Sequence, residues 1–478
     1  MLIPRPKAFF VQPEIACEME KINWIEGEPE YEAAAELINK TLVCLDESPR
    51  PFHAGRMNIS PRRKIRLLKS AELSSEEYML TINNEKVSIA GGSLAGIMHG
   101  AESFCQILVF CAEHGGLDRT VPVGKIHDWP RFKYRGIMVD SARHFQKKEL
   151  ILSILDEMSH YKLNKFHWHL TDRQSWRLPL KCEPELVRNV PHSRAYSYGA
   201  YTFDDIREIC KYAEKRGIQV IPELEMPGHS NAVFFTHPEL ACQTGEDPYA
   251  SDYWEFCLGN PKVKDFLSRI LAEMTELFPN SPIIHIGGDE AGVSHWQKCQ
   301  LCQKKMQVLK TDAPRKMEAA FMSEMESVVH SLGRTAMSWG KNEGSYELFS
   351  KNMIVQNWLL KDISQLLGSG IKVVNSFMEN CYLDFPSNEG NGDLQQWQKK
   401  TYDFDPTSGA SDDVLGNLLG GEACLWTEQI PQWRVLARLL PRMRAFSEAL
   451  WCAPEQKDYQ DFLERESHLC GTIFFRYR

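Results

Sequence analysis

The segment HIGGDEAG at 285–292 places two carboxylates, Asp289 and Glu290, directly after two glycines. Adjacent residues on a regular strand point to opposite faces. On that basis the two acids are expected to do different jobs rather than flank one bond as a facing pair. One carboxyl in a drier setting would hold a raised pKa and act as a proton donor. The other would stay ionised and orient or stabilise charge. Further residues of catalytic type fall where apolar runs end: Asp140, Asp172, His229, Trp339, Trp358, Glu422 and Trp426. A purely packed core does not need Asp, Glu and His at such points. Tryptophan rings offer flat faces on which the apolar faces of sugars stack, although rim packing uses them equally well.

Two further groups have metal-ligand spacing. In HWH at 167–169 the two histidines share one face of a strand; with Asp289 they suggest a metal-dependent hydrolase, or else two structural histidines. Cys299 and Cys302 form a CxxC pair, half of a zinc site, and Cys242 and Cys257 lie in the preceding long loop. If those loops are neighbours, the four thiolates suit a structural zinc. Four free thiols, or a disulfide from Cys242 to Cys257, are the alternatives.

These residues must be positioned by regular elements. From about residue 131, eight apolar β-type runs recur: 135–141, 165–172, 219–229, 282–290, 334–340, 352–358, 371–377 and 419–426. Helical patterns such as KKELILSILDEMSHYKLN and VKDFLSRILAEMTELF lie between most of them. Alternating strands and helices imply a parallel sheet, and eight strands imply a (β/α)8 barrel with chemistry at the C-terminal strand ends. Long loops are expected after the third and seventh strands. Residues 1–130 differ in rhythm. KINWI, TLVCL, KIRLLKS and EYMLTINNEKVSIAGG read as strands, and SLAGIMHGAESFCQILVF reads as a helix. The expected fold class is therefore α/β, a TIM barrel over 131–478 preceded by a small α+β domain over 1–130.

Composition bounds the partners. The chain has 478 residues, 43% hydrophobic and 25% charged, and a net charge of −9. These are ordinary globular values, with no basic excess to suit nucleic acid. No apolar run of about 18 residues is present, so no membrane span is expected. The segment MLIPRPKAFFVQPEI lacks the apolar stretch of about 7–15 residues and the cleavage site of a signal peptide. With 14 scattered cysteines, a reducing, cytoplasmic setting is expected; a secreted form with a trimmed signal is the alternative.

The chain resembles glycoside hydrolase family 20, the β-N-acetylhexosaminidases. The resemblance rests on motifs in order: RGIMVDSARHF at 135–145, FHWHLTDRQSWRL at 166–178, ELEMPGH at 223–229, HIGGDE at 285–290, MSWGKN at 337–342, NCYLDF at 380–385, GGEACLWTE at 420–428 and RLLPRMRAFSEALW at 438–451. It implies an exo-acting, retaining enzyme that uses the substrate's own acetamido oxygen as nucleophile, an exception to the two-carboxylate scheme. Glu290 would then be the general acid and base, and Asp289 would hold the acetamide N–H. Tyr382 would donate to the acetamide oxygen. Asp172 and His229 would form a dyad that tunes Glu290. Trp339, Trp358 and Trp426 would wall the pocket, Arg135 would bind hydroxyls 3 and 4, and Asp384 and Glu428 would accept from hydroxyls 4 and 6. The implied partner is an N-acetylhexosamine-terminated oligosaccharide or glycoconjugate, with no catalytic cofactor; a homodimer is the family's common state. One departure stands out: Arg173 in Asp172-Arg173-Gln174-Ser175 occupies a place where the family often has an acid. The competing reading on this scaffold is a non-catalytic glycan-binding protein, against which the presence of Asp289, Glu290 and Tyr382 together argues.

Overall fold

The computed structural model describes residues 2–45, 48–55, 63–114, 120–188, 197–246, 255–340, 350–386 and 394–469. Seven strands of the N-terminal region form one sheet: β1 (Ala8–Glu18), β2 (Trp24–Gly27), β3 (Phe52–Ala54), β4 (Lys64–Lys69), β5 (Tyr78–Ile82), β6 (Val87–Gly91) and β7 (Thr120–Asp128). Their order is β1-β7-β5-β6-β4-β2-β3. The β5–β6 hairpin is set by its asparagine: the Asn83 side-chain oxygen accepts from the backbone N–H groups of Glu85 (3.0 Å) and Lys86 (2.8 Å). Helices α1 (Glu32–Cys44) and α2 (Leu94–His114) pack with the sheet around one apolar cluster.

Two expectations for this region are corrected. TLVCL is not a strand: most of it is the last turn of α1. The helix-forming run EAAAELINK starts upstream, and Ala34, Ala35, Ile38 and Leu42 recur at helical spacing and are buried. Strands β1 and β7, which pair with each other, lie where the sequence pattern marks no strand. Helix α2 is also long and apolar enough to cross a membrane, which run length alone does not reveal; 78% of its apolar window is buried inside the molecule.

The second region is a closed eight-stranded parallel barrel. Its strands are β8 (Tyr134–Asp140), β9 (Lys165–His169), β12 (Gln219–Glu223), β13 (Ile283–His285), β14 (Thr335–Trp339), β15 (Ile354–Asn357), β16 (Lys372–Asn375) and β17 (Leu418–Leu425). All eight expected runs are found, several ending earlier than the sequence pattern suggests. A short hairpin, β10 (Thr171–Asp172) with β11 (Ser175–Trp176), caps the second strand. Crossover helices start at defined caps. Thr202 and Asp205 form a reciprocal capping box for Phe203–Glu214, and Asn260 caps Pro261–Leu277 with proline at its first position.

Register places polar residues in one layer at the top of the barrel: Asp140 pairs with His169, His169 with Glu223, and Glu223 with His285. The barrel bottom is closed by the small domain. Trp451, at the end of the helix Val435–Trp451, packs into that domain's core cluster and donates through Nε1 to Asp128 (3.0 Å). Glu102 of α2 pairs with His160 (2.9 Å).

Candidate active site

The site is assembled from the turns and loops at the C-terminal ends of the barrel strands. After β8 the chain turns back: Asp140 accepts from the backbone N–H of Arg143 (3.0 Å) and from its guanidinium (3.1 Å). This swings Arg143 over the mouth, where Nη2 lies 2.8 Å from Asp172 and 3.6 Å from Glu428, and the guanidinium stands 5.1 Å from the Trp426 ring centre. Asp172, held on the β10–β11 hairpin, accepts from His169 Nε2 (3.1 Å) and His229 Nδ1 (3.3 Å). Burial opposes its ionisation, but the Arg143 guanidinium and the two histidines hold its pKa well below the usual range.

His229 adopts a positive φ of 51° in the turn beyond β12, which aims its ring between the two acids of the next loop. Its Nε2 lies 3.6 Å from Glu290 and 3.9 Å from Asp289. Burial disfavours its charged form, yet Asp172 and the two acids keep its pKa well above the ordinary value.

Strand β13 ends at His285, so Asp289 and Glu290 lie in the loop past it. Strand alternation therefore does not govern them: Gly287, Gly288 and Glu290 all have positive φ (63°, 110° and 42°), and both acids line one cavity. Glycine is required here by space as well. A Cβ on Gly287 would lie 2.2 Å from a Glu225 carboxylate oxygen, and one on Gly288 2.3 Å from Ser338 Oγ. Their environments differ. The Asp289 side chain is 13% exposed and that of Glu290 57%. Burial pushes Asp289 up to about 6. The neighbouring His229 imidazole, 3.6 Å away, pulls Glu290 below its ordinary value.

The cavity measures about 380 Å³ and is lined by Asp172, Glu225, His229, Trp358, Tyr382 and Trp426, among others. Trp358 lies just past β15 and is fixed by its Nε1 donating to the Gly340 carbonyl (2.9 Å). Tyr382 lies nearly parallel to it, with ring centres 6.4 Å apart, and its carbonyl accepts from Arg442 (2.9 Å). Asp384 and Glu428 also line the cavity. Burial pushes Asp384 up to about 7 and raises Glu428. One buried carboxylate oxygen on each of Asp289, Asp384 and Glu225 has no hydrogen-bond partner. Such acceptors suit the N–H and O–H groups of a ligand.

Three expectations are corrected. Arg135 does not reach the cavity: it is fully buried, with its guanidinium on Glu76 (2.6 Å) and the carbonyls of Phe132 (2.7 Å) and Lys162 (2.9 Å). Position 135 is near the start of β8, hence at the barrel bottom, and the arginine at the mouth is Arg143. Trp339 is 1% exposed and stands behind the wall; its Nε1 donates to Glu223 (2.7 Å) and its ring centre is 5.7 Å from that of Trp426. Glu422 faces the barrel interior, bonded by Tyr134 (2.6 Å), His167 (2.7 Å) and Gln356 (2.7 Å).

His167, His169 and Asp289 do not come together as one metal site. His167 groups with Glu223 and His285, His169 with Asp172 and Glu225, and Asp289 with His229 and Glu290. Of the charged residues that line the cavity, sequence reasoning misses Arg143 and Glu225. Both lie inside motifs that it singles out, and the Asp140–Arg143 spacing, three apart after a strand, was the available signal. In MSWGKN, Lys341 and Asn342 lie outside the described residues, as do parts of the long loops at 180–203 and 385–415. Arg173, the departure within the second-strand motif, is not among the residues lining the cavity.

A parallel (β/α)8 barrel whose mouth gathers two unequal acids, a histidine–aspartate pair and aromatic walls is the architecture of a glycoside hydrolase. The chain belongs to glycosyl hydrolase family 20: the model of the family's catalytic domain matches residues 132–454 and that of its domain 2 matches residues 1–129. It is 32% identical to a beta-hexosaminidase of Akkermansia muciniphila over 426 residues, covering 84% of this chain and 85% of that one. It is 30% identical to the human beta-hexosaminidase subunit beta over 413 residues, covering 84% and 71%. A solved structure of the exo beta-N-acetylglucosaminidase of Vibrio harveyi superposes with a TM-score of 0.87 at 25% identity, covering 99% of this chain and 77% of that one. The protein is a glycoside hydrolase with beta-hexosaminidase activity.

Proposed function

We propose that the enzyme is an exo-acting, retaining β-N-acetylhexosaminidase. It releases a terminal non-reducing N-acetylglucosamine or N-acetylgalactosamine from an oligosaccharide or glycoconjugate. The observation that carries this reading is the unpartnered Asp289 oxygen within an aromatic-walled cavity. A buried acceptor suits an amide N–H, and the Trp358, Met378 and Trp426 walls suit the adjoining methyl group. A volume at the small end of ligand pockets (about 300–1,000 Å³) fits one terminal sugar.

In the first step the acetamido oxygen attacks C1, the bond from C1 to the glycosidic oxygen breaks, and Glu290 gives its proton to the departing oxygen. Asp289 accepts the N–H and balances the positive charge spreading over the oxazolinium ring. The Tyr382 hydroxyl donates to the acetamido oxygen as it attacks. In the second step Glu290 takes a proton from water, which adds to C1 and opens the ring with the β configuration kept. Glu290 sits at the solvent side, where a leaving group departs, and Asp289 lies deeper. Arg143, Asp384 and Glu428 hold ring hydroxyls. His229, charged and fixed by Asp172, is a positioning residue for both acids. No step calls for a cofactor.

The test is a panel of nitrophenyl β-glycosides with and without the 2-acetamido group. The acetamido substrates are expected to turn over and plain β-glucosides to be nearly inert. A thiazoline mimic of the intermediate should inhibit strongly. Comparable rates on glucoside and N-acetylglucosaminide would overturn the mechanism.

A further inference from the structure

The four cysteines left open by the sequence converge outside the catalytic cavity. Cys242 and Cys257 lie in the long loop after β12; Cys299 and Cys302 lie in the insertion after β13. All four are buried, and one sulfur from each falls within 4.8 Å of the other three. The Sγ separations are 3.7 Å for Cys242–Cys302, 3.6 Å for Cys257–Cys299 and 3.7 Å for Cys257–Cys302. A disulfide requires about 2.05 Å, and none of the four is in one. A tetrahedral ion with zinc–sulfur bonds of about 2.3 Å sets its sulfurs about 3.8 Å apart. Three of the six edges of the cluster already have that length, and the remaining three are within 4.8 Å.

Apolar packing does not account for it. Four buried thiols face one another, where an apolar core would place methyl groups. The backbones are drawn in to match: a Cβ on Gly259 would lie 2.4 Å from the Cys302 nitrogen. We propose that Cys242, Cys257, Cys299 and Cys302 bind one zinc ion, a structural centre that clamps the loop after β12 to the insertion after β13.

The clamp would act directly behind the catalytic turns. Phe256, beside Cys257, donates its N–H to the carbonyl of Pro227, two residues before His229 (2.8 Å). Its own carbonyl accepts from Trp296 Nε1 (2.8 Å), three residues before Cys299. Gly292, two residues past Glu290, packs on the Glu255 carboxylate, which also pairs with His295 (2.5 Å). Zinc would thereby hold the His229 turn and the Asp289–Glu290 turn in one frame without contacting substrate.

The test is elemental analysis of the full-length enzyme after dialysis against EDTA. One zinc per chain is expected in the wild type, and none in Cys257→Ser/Cys302→Ser. Stripping with a mercurial should lower Tm and activity together, and zinc, not magnesium, should restore both. Because the double variant can fail to fold, cobalt(II) reconstitution of the stripped wild type gives a second readout: the thiolate charge-transfer and visible bands of a tetrahedral tetrathiolate complex. Wild-type protein without zinc, iron in its place, or cobalt lacking the tetrathiolate spectrum would each overturn the proposal. Metal content is independent of substrate preference, so failure here leaves the hydrolase reading standing, and the converse.

Discussion

Asp289 and Glu290 are sequence neighbours that face one cavity with opposite protonation tendencies. Burial pushes Asp289 up to about 6, while His229 holds Glu290 below its ordinary value. In the free enzyme a proton taken up as the pH falls therefore goes first to Asp289, the residue that the reaction needs ionised. Substrate must reverse the order. An acetamide N–H donated to Asp289 favours its anion, and a sugar covering Glu290 removes it from water and raises its pKa. The pH profile of kcat is thus expected to be broader than that of kcat/KM, with its acid limb moved below the limb near pH ~6 of the free enzyme. Acid limbs that coincide, or move the other way, would refute this reversal.

The same burial has a cost in stability. The folded pKa of Asp289 lies above its unfolded value of about 3.9, so the folded state binds more protons between the two. Stability falls as pH rises through that window, and the penalty is fully present above about 6. Asp289→Asn is expected to stabilise the protein by about 1–3 kcal/mol at neutral pH, while slowing hydrolysis roughly 10–100-fold for loss of a charged hydrogen bond. Thermal melts at several pH values should show the gain vanishing below about pH 4. A variant that is less stable than the wild type at pH 7 would contradict the burial argument.

Glu290→Gln should lower kcat about 10²–10⁴-fold. The deficit should shrink for aryl leaving groups that depart without protonation. For Asp289→Asn it should persist, because the acetamide attacks in the same transition state whatever departs. Azide should rescue Glu290→Ala, where a gap admits a small anion, and not Asp289→Asn. The reverse pattern would exchange their roles.

Arg143 and Arg135 separate cleanly. Arg143→Lys keeps the charge beside Asp140 and Asp172 but loses the planar fork; kcat/KM should fall roughly 10–100-fold, as expected for a charged hydrogen bond. Arg135→Met should leave KM unchanged and cost about 3–5 kcal/mol of stability, because it strips a partner from Glu76 at the domain boundary. A raised KM for Arg135→Met would restore it as a sugar-binding residue.

The barrel is legible because its strands are short apolar β-type runs repeated between amphipathic helices, a pattern that depends on few long-range facts. The small domain is less so. TLVCL is β-branched and apolar, yet it continues a helix nucleated by EAAAELINK, and only the buried face against α2 decides the matter. At the site, the first-strand motif offers both Arg135 and Arg143; Arg135 opens the run and so lies at the N-terminal end of β8, away from the mouth, and strand position rather than the family resemblance tells the two apart. Divergence of Asp289 and Glu290 is expected only if strand geometry extends to them. The strand stops at His285, and the positive-φ residues beyond it turn both acids inward. Unequal environments for the two are expected and found, but the drier carboxyl with the raised pKa is Asp289 and not Glu290, so the expected pairing of dryness with proton donation does not hold in the free enzyme.

The contacts at the barrel floor bear on modularity. Glu76 neutralises Arg135, and Trp451 is housed in the small domain's core. The small domain also supplies Tyr78 and Asp128 to Lys162, a lysine 1% exposed. The catalytic barrel is therefore not a transferable cassette. A fusion or library that grafts it without its preceding domain would leave an indole, a guanidinium and an ammonium group without their partners. In engineering the two regions are to be moved as a single unit.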